Sequence, residues 1–326
     1  MDKIHKKQQI SALKEWDNVD DVFVVKIKRG IAPYAKGYTF QLLLSDNSGK
    51  TIDYKYWGGN DEAKLKGIYE SIKEDSVIHV KGKVSIYNGK LQLATNEPDI
   101  IKVLNEDQYN AEDFVKPARK DIEEMYSSLK NYIKTISNNQ IKKLLNNIFE
   151  NPEIAAKFKT HPAAIEIHHN WISGLLEHVL EMLKICDTLK EIYPVLDRDL
   201  MITGVLLHDI GKLEELQVTS RIKGTLGQMT GHIVIGSSFV LKEIEKIGGF
   251  DENLKQKIIH LIVSHHGKNE YGSPKEPMFL EAVVLNYVDE LSSKITELSE
   301  FINNAKDETE DDFMFNKRHG RNIFLR

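Results

Sequence analysis

Thiol chemistry is almost missing from this chain. Its one cysteine, Cys186, excludes an intramolecular disulfide and fits a reducing compartment. On the apolar side of an expected helix, it reads as a core residue. No apolar run reaches the roughly 18 residues that a membrane span needs, so no transmembrane helix is expected. The N-terminus, Met1-Asp2-Lys3-Ile4-His5-Lys6-Lys7, has no apolar segment behind it and does not read as a signal peptide; the expected location is the cytoplasm. Glycine motifs of the P-loop or dinucleotide type are absent, so no nucleotide cofactor is expected. There is no internal repeat and no low-complexity block. A bulk excess of positive charge is lacking too: the net charge of −5 argues against binding nucleic acid by electrostatics alone.

What is present suits a globular protein of two domains. The 326 residues are enough for two cores, and 41% hydrophobic with 29% charged residues is ordinary composition. Charge is unevenly placed. Residues 1–104 carry 17 Lys and Arg against 14 Asp and Glu, a balance of +3, and the remainder carries 27 against 35, a balance of −8.

After a polar lead-in over residues 1–15, the pattern is β. Strands are expected at Val22–Lys28, Tyr38–Leu44 and Thr51–Trp57, with the turn signal Asp46-Asn47-Ser48-Gly49 between the last two. A helix is expected at Asp61–Ile72. Strands follow at Val77–Tyr87 and Leu91–Ala94, joined by the hairpin signal Asn88-Gly89, and Ile100–Leu104 adds an edge strand. Three strands, a helix and two strands in this order resemble an OB-fold barrel over residues 16–104. Tyr34, Tyr38, Tyr54, Tyr56, Trp57 and Tyr87 are interleaved with Lys28, Arg29, Lys36, Lys55, Lys81 and Lys83. Single-strand binding needs flat faces for bases and cations for phosphates. Lys28, Arg29, Tyr38, Tyr54, Tyr56, Trp57, Lys81 and Lys83 are the expected binding face, against the plainer reading that alternate aromatics fill the barrel.

Residues 105–116 are polar and read as an interdomain linker. Helices expected at Ala118–Ile136, Gln140–Phe149 and Pro152–Phe158 carry no evident chemistry and read as a connector, extending to residue 160. Helices then continue to about residue 303, with a tail over 304–326. Nine of the 12 histidines fall in residues 161–266. The centre of interest is Leu206-Leu207-His208-Asp209-Ile210-Gly211-Lys212, where an imidazole and a carboxylate sit side by side at the end of an apolar helix. Alone, the pair is equally a helix-end cap. It has company in His178 within an apolar helix, His232 after Gly231, the pair His265-His266, and Asp289 within the long helix Phe279–Phe301.

The order His178, His208-Asp209, His232, His265-His266, Asp289 resembles the HD-domain superfamily of metal-dependent phosphohydrolases, in its two-metal branch. The resemblance implies an all-α domain over residues 161–303. It implies a first ion on His178, His208, Asp209 and Asp289, and a second on His232 with His265, His266 or both, with Asp209 bridging. Mixed imidazole and carboxylate donors suit Mn, Fe, Co, Ni or Zn, with Mn expected here, and suit Ca poorly. Two such ions roughly 3.5–4 Å apart can hold an attacking oxygen and a phosphate oxygen together. Asp209 and Lys212 are the expected catalytic residues, Lys212 as a cation for a non-bridging phosphate oxygen.

A β-barrel followed by helices and a two-metal HD domain is similar to the YhaM family of 3′–5′ exoribonucleases. Supporting stretches are His168-His169-Asn170-Trp171, Gly174-Leu175-Leu176-Glu177-His178, Gly231-His232-Ile233, Ser264-His265-His266-Gly267 and Asp289-Glu290-Leu291. The resemblance covers about residues 16–303 and leaves the role of His168 and His169 open. It implies a metal-dependent exonuclease that degrades single-stranded RNA, with single-stranded DNA as a further option, to nucleoside 5′-monophosphates. The expected partners are such strands and no membrane, with homo-oligomers left open. The rivals are an HD phosphohydrolase of nucleotides or cyclic dinucleotides, and a non-catalytic nucleic-acid-binding or assembly protein.

Overall fold

A computed structural model of the chain describes residues 3–99, 101–165 and 168–326, with all of their side chains except those of 307 and 308. Ile100, the expected start of the edge strand, lies outside the described residues, as do Met1 and Asp2. Contacts divide the chain into one unit of Met1–Pro117 with Val218–Ile222 and a second of Ala118–Gln217 with Lys223–Arg326.

The first unit contains β1 (Asn18–Tyr34), β2 (Gly37–Ser45), β3 (Thr51–Trp57), α1 (Glu62–Ser71), β4 (Val77–Tyr87), β5 (Lys90–Asn96) and β6 (Ile101–Leu104). The sheet runs β1-β2-β3-β5-β4-β6, and an added β1–β4 pairing closes the first five strands into a barrel. β3 and β5 run parallel. This order, with a helix between β3 and β4, is that of the OB-fold. β1 makes closure possible by serving two neighbours. Asn18–Val24 pairs with β4, the chain from Val24 onward pairs with β2, and register shifts between Val25 and Ile27 and between Arg29 and Ala32 bend it. It runs past the expected Lys28 because the β1–β2 ladder continues to Tyr34↔Gly37. The Asn88-Gly89 turn has φ of 50° and 74°, the doubly positive geometry that matches strand twist in a two-residue hairpin.

Inward residues of each strand form one core, including Phe23, Phe40, Leu42, Leu44, Ile52, Tyr54, Tyr56, Val80 and Leu93. This corrects the expected binding face. Side chains alternate along a strand, so Ile52, Tyr54 and Tyr56 point inward while Asp53, Lys55 and Trp57 point outward. Tyr54 and Tyr56, 0% and 3% exposed, are core residues and cannot stack on bases. Lys28 is also otherwise engaged: its ammonium donates to the carbonyls of Tyr69 and Ile72 at the end of α1 and lies over the Tyr69 ring. The lead-in and the expected linker are structural as well. Ile10 and Leu13 join the barrel core. Tyr109 and Phe114 pack with Val22, Val24, Val77 and Leu104, because these apolar side chains interrupt an otherwise polar segment.

The second unit contains α2 (Ile122–Thr135), α3 (Asn139–Phe149), α4 (Pro152–Thr160), α5 (Gly174–Ile192), α6 (Arg198–Leu207), α7 (Lys212–Glu215), α8 (His232–Glu245), α9 (Glu252–Ser264), α10 (Leu280–Glu308), β9 (Phe313–Asn316) and β10 (Arg321–Phe324), while the short strands β7 (Leu216–Val218) and β8 (Ile222–Gly224) each place one end residue, Val218 and Ile222, in the segment assigned to the first unit. Asp121, Asn138, Asn151, Asp197 and Asp251 cap α2, α3, α4, α6 and α9 through side-chain oxygens that accept first-turn N–H groups. One core joins Leu129, Leu144, Phe149 and Phe158 to Leu176, Met182, Leu206, Leu261 and Leu285. The first three helices therefore build this core rather than connect two domains. Cys186 belongs to the same core, where burial pushes its thiol up to about 12. α6 is buried from Leu200 to Leu207, the mark of a helix enclosed on all sides. Among the described residues, no helix is long and apolar enough to cross a membrane.

Candidate active site

The site is built at helix ends. His208 follows the last residue of α6, and His265 follows the last of α9. Helix C-termini leave carbonyls unpaired within the helix, and both rings use one. His208 Nδ1 lies 2.9 Å from the Val205 carbonyl, and His265 Nδ1 lies 2.6 Å from that of Ile262. A carbonyl only accepts, so each Nδ1 carries the proton and each Nε2 keeps its lone pair. The remaining rings repeat the pattern with other partners. Nδ1 of His178 is 3.1 Å from Ser292 Oγ, that of His232 is 2.9 Å from Glu215 Oε2, and that of His266 is 2.9 Å from the Tyr271 carbonyl.

The free nitrogens meet around two carboxylates. Asp209 Oδ2 is 3.2 Å from His208 Nε2, and its Oδ1 is 3.6 Å from His232 Nε2 and 3.7 Å from His265 Nε2. Asp289 Oδ1 is 3.1 Å from His178 Nε2. Lys212 Nζ lies 2.7 Å from Asp209 Oδ2. His178, His208, Asp209 and His265 are buried.

Among the described residues, seven of the eleven buried side-chain nitrogens and oxygens without a hydrogen-bond partner belong here: Nδ1 of His168 and His169, Nε2 of His178, His208, His232 and His265, and Asp209 Oδ1. Buried polar atoms are ordinarily paired, and so many orphaned lone pairs aimed at one place are what a cation centre requires. The donors fall into close groups: His178, His208 and Asp209; His232, His265 and His266; His168, His169 and His178. Nitrogen with carboxylate oxygen is a donor set for first-row transition ions, so the residues present fit the ions that an HD domain implies.

Electrostatics favour the neutral form of His168, His178, His265 and His266 and the ionised form of both carboxylates. Burial holds His178, His265 and His266 below the usual histidine value. It pushes His168 down to about 3, with Lys212 acting in the same direction. His208 is raised, because Asp209 outweighs the opposing effect of burial. Burial would raise Asp209 and Asp289. Lys212 and His208 overcome it at Asp209, and His178 and His208 at Asp289, so both carboxyls lie well below their usual range.

The structure thus brings together His178, His208, Asp209, Lys212, His232, His265, His266 and Asp289. Both members of the 265–266 pair face the site, which the sequence left open. Sequence reasoning missed the partners that orient the rings. Ser292 and Glu181 were within its reach, because each lies three residues along a helix from Asp289 or His178 and so shares its face. Glu215 stands in the same relation to Lys212 on α7, although nothing local pointed to its pairing with His232. Gly211 is a further omission: a Cβ there would lie 2.0 Å from the His232 carbonyl oxygen, so only glycine lets the start of α8 approach Asp209.

The family model "HD domain" matches residues 175–294. The chain is 33% identical over 292 residues to the 3′-5′ exoribonuclease YhaM of Bacillus subtilis (strain 168), covering 89% of each chain. It is 34% identical to the protein of that name from Geobacillus sp. (strain WCH70), covering 89% of this chain and 86% of that one. The chain belongs to the YhaM family. Among solved structures it is similar to the second OB-fold domain of replication protein A from Methanococcus maripaludis, at 19% identity and a TM-score of 0.25, over 31% of this chain and 96% of that domain.

On the outer face of the barrel in this YhaM-family chain, Trp57 is half-buried, edge-on to Tyr34 at 4.7 Å, with Lys55 Nζ 3.8 Å from its ring centre. Arg29, opposite Gln41 on β2, pairs with Asp53 at 3.0 Å. Tyr38 is half-buried against the barrel core, and a hydrogen bond with Glu62 raises its hydroxyl's pKa. Lys81 is exposed and pairs with Asp20 at 3.0 Å, and Lys83 lies over the exposed ring of Trp16. Trp57 with Lys55 and Trp16 with Lys83 are therefore aromatic–cation pairs on the outside of the barrel. The aromatic–basic mixture read from the sequence contained both Trp57 and Lys55, although the narrower set of expected binding residues held only Trp57 of the two.

Proposed function

We propose that this chain is a metal-dependent 3′–5′ exoribonuclease that shortens single-stranded RNA, and single-stranded DNA as a second substrate, to nucleoside 5′-monophosphates in the cytoplasm. The observation that carries the reading is the convergence of orphaned Nε2 atoms on the Asp209 carboxylate. Family membership supports the polarity and the RNA substrate.

His178, His208, Asp209 and Asp289 would hold one divalent ion, and Asp209 with His232, His265 and His266 the other; manganese is the first expectation. Such ions supply positive charge for a phosphate oxygen and favour deprotonation of an attacking water. The chain's own part is orientation. Ser292, Glu215 and the carbonyls of Val205, Ile262 and Tyr271 hold the imidazoles in the tautomer that presents Nε2. Lys212 keeps an ammonium beside Asp209, where it can neutralise a non-bridging phosphate oxygen. Barrel residues Trp57, Lys55, Tyr34 and Arg29 supply strand affinity through stacking and phosphate contact.

The test is purified protein with Mn²⁺ and a 5′-labelled single strand. A stepwise ladder shortening from the 3′ end, with 5′-mononucleotides released, is expected. A few discrete internal cuts, or no cleavage with any of Mn, Co, Ni, Fe and Zn, would refute the assignment.

A further inference from the structure

The imidazoles of the second unit form a continuous belt. Ring centres are 5.1 Å apart from His169 to His178, 5.6 Å to His208, 5.1 Å to His265, 5.6 Å to His232 and 5.2 Å to His266. The proposed pair of ions uses the belt from His178 onward and leaves its first end unused. That end resembles the last one: His168-His169 faces His178 as His265-His266 faces His232, an adjacent pair of rings closing on a third from another segment.

The details at this end are those of a donor set. His169 is fully buried, its Nε2 is 3.0 Å from Glu181 Oε2, and its Nδ1 has no hydrogen-bond partner. A carboxylate that takes one ring proton leaves the other nitrogen as a lone-pair donor, the role Glu215 fills for His232. His168 Nδ1 is likewise buried and unpaired, and its ring centre is 5.6 Å from that of His178. The backbone is held to this arrangement. His169 has φ of 49°, a left-handed conformation uncommon outside glycine. Gly174 lets its carbonyl approach so closely that a Cβ there would lie 1.9 Å from the oxygen.

We propose that His168 and His169, joined by His178 when the first ion is absent, form a third cation site beside the ion pair. It would take a late first-row divalent ion such as Zn²⁺, Co²⁺ or Ni²⁺, because all-imidazole ligation suits these and suits Mg²⁺ or Ca²⁺ poorly. His178 has one free Nε2, which the first ion takes when present and so leaves the third ion two imidazoles and solvent; the third ion is the weakest held and the last to fill. The proposal rests on the two-ion reading of the neighbouring centre.

The experiment is metal counting on the whole chain, by elemental analysis after Zn²⁺ or Co²⁺ titration against a competing chelator. It uses wild type, Asp209→Ala, His168→Ala, and the double variant Asp209→Ala/His168→Ala. His168 is only partly buried, and circular dichroism checks that each variant is folded. His168→Ala is expected to lose the weakest step of the titration. Adding it to Asp209→Ala is expected to remove one further ion. Glu181→Gln should weaken the same step by about 10–100-fold while leaving every ligand in place. Unchanged titrations on introducing His168→Ala, alone and in the Asp209→Ala background, would overturn the third site. Equal metal content in wild type and Asp209→Ala would instead overturn the bridged pair, so the two failures are distinct.

Discussion

Glu215 touches no group that would meet substrate, yet it fixes which nitrogen His232 presents. Glu215→Ala is expected to weaken the ion proposed at His232, His265 and His266 by about 10–100-fold, with the other proposed ion unaffected, as read by metal titration. Equal weakening of both ions would mean that Glu215 acts through the fold at large. Gly211 acts by having no side chain. With only 2.0 Å between an added Cβ and the His232 carbonyl oxygen, Gly211→Ala must displace the start of α8. A folded protein that retains the first ion and loses the second is the expected result. Gly236→Ala is the control, because its Cβ would meet its nearest neighbour at 3.2 Å, a contact that small shifts relieve.

Helices and strands differ in what they revealed beforehand. On β3, strict alternation separates Trp57 from Tyr54 and Tyr56. Trp57→Ala is expected to lower single-strand affinity by about 1–3 kcal/mol per stacked base with an unchanged melting temperature. Tyr54→Ala is expected to lose about 3–5 kcal/mol of stability through the cavity it leaves. If both variants lose only stability, the outer face of the barrel does not bind the strand. That alternation was legible in the sequence and outweighs the aromatic–basic mixture, which says nothing about direction. The barrel order was legible because hairpin signals such as Asn88-Gly89 are local. The grouping of the candidate donors was legible from the order of their motifs along the chain, which resembles that of HD domains, and the structure brings these residues together. Three things were hidden because they depend on contacts between distant segments: the length of β1, set by its ladder with β2; the pairing of Glu215 with His232; and the membership of α2, α3 and α4 in the second core. The packing of Tyr109 and Phe114 was hidden in another way, since two apolar side chains in a polar stretch give no period to read.

For the molecule as a whole, the buried imidazoles make stability depend on pH. His168, His178, His265 and His266 lie below histidine's ordinary value of 6.5 in the folded chain. A base depressed by folding binds its proton more readily when unfolded, so unfolding takes up protons as pH falls below about 6.5, and stability falls with pH. The loss continues until the folded groups titrate, at about 3 for His168. His208, raised by Asp209, works in the opposite sense but is one ring against these four and against His161 and His260, which burial also lowers. Asp209 and Asp289 are depressed acids, whose contribution is present above the usual carboxylate range and is lost as pH falls through their folded values. The melting temperature of metal-free protein should therefore fall between pH 7.5 and 5.5, and a flat or rising profile would contradict these burial effects. The Nδ1 anchors have a separate consequence for the chain's dependence on its ions. Each imidazole from His178 onward along the belt is already held in one rotamer and one tautomer by a partner outside the donor shell. Ion capture then costs little conformational entropy, and the framework does not wait on the ion to form, unlike small zinc modules that are unfolded without metal. Protein stripped with a chelator should keep its helical circular dichroism and a cooperative melt, its midpoint lowered only as mass action requires. The centre is in this respect a preassembled socket, able to exchange one divalent ion for another without unfolding.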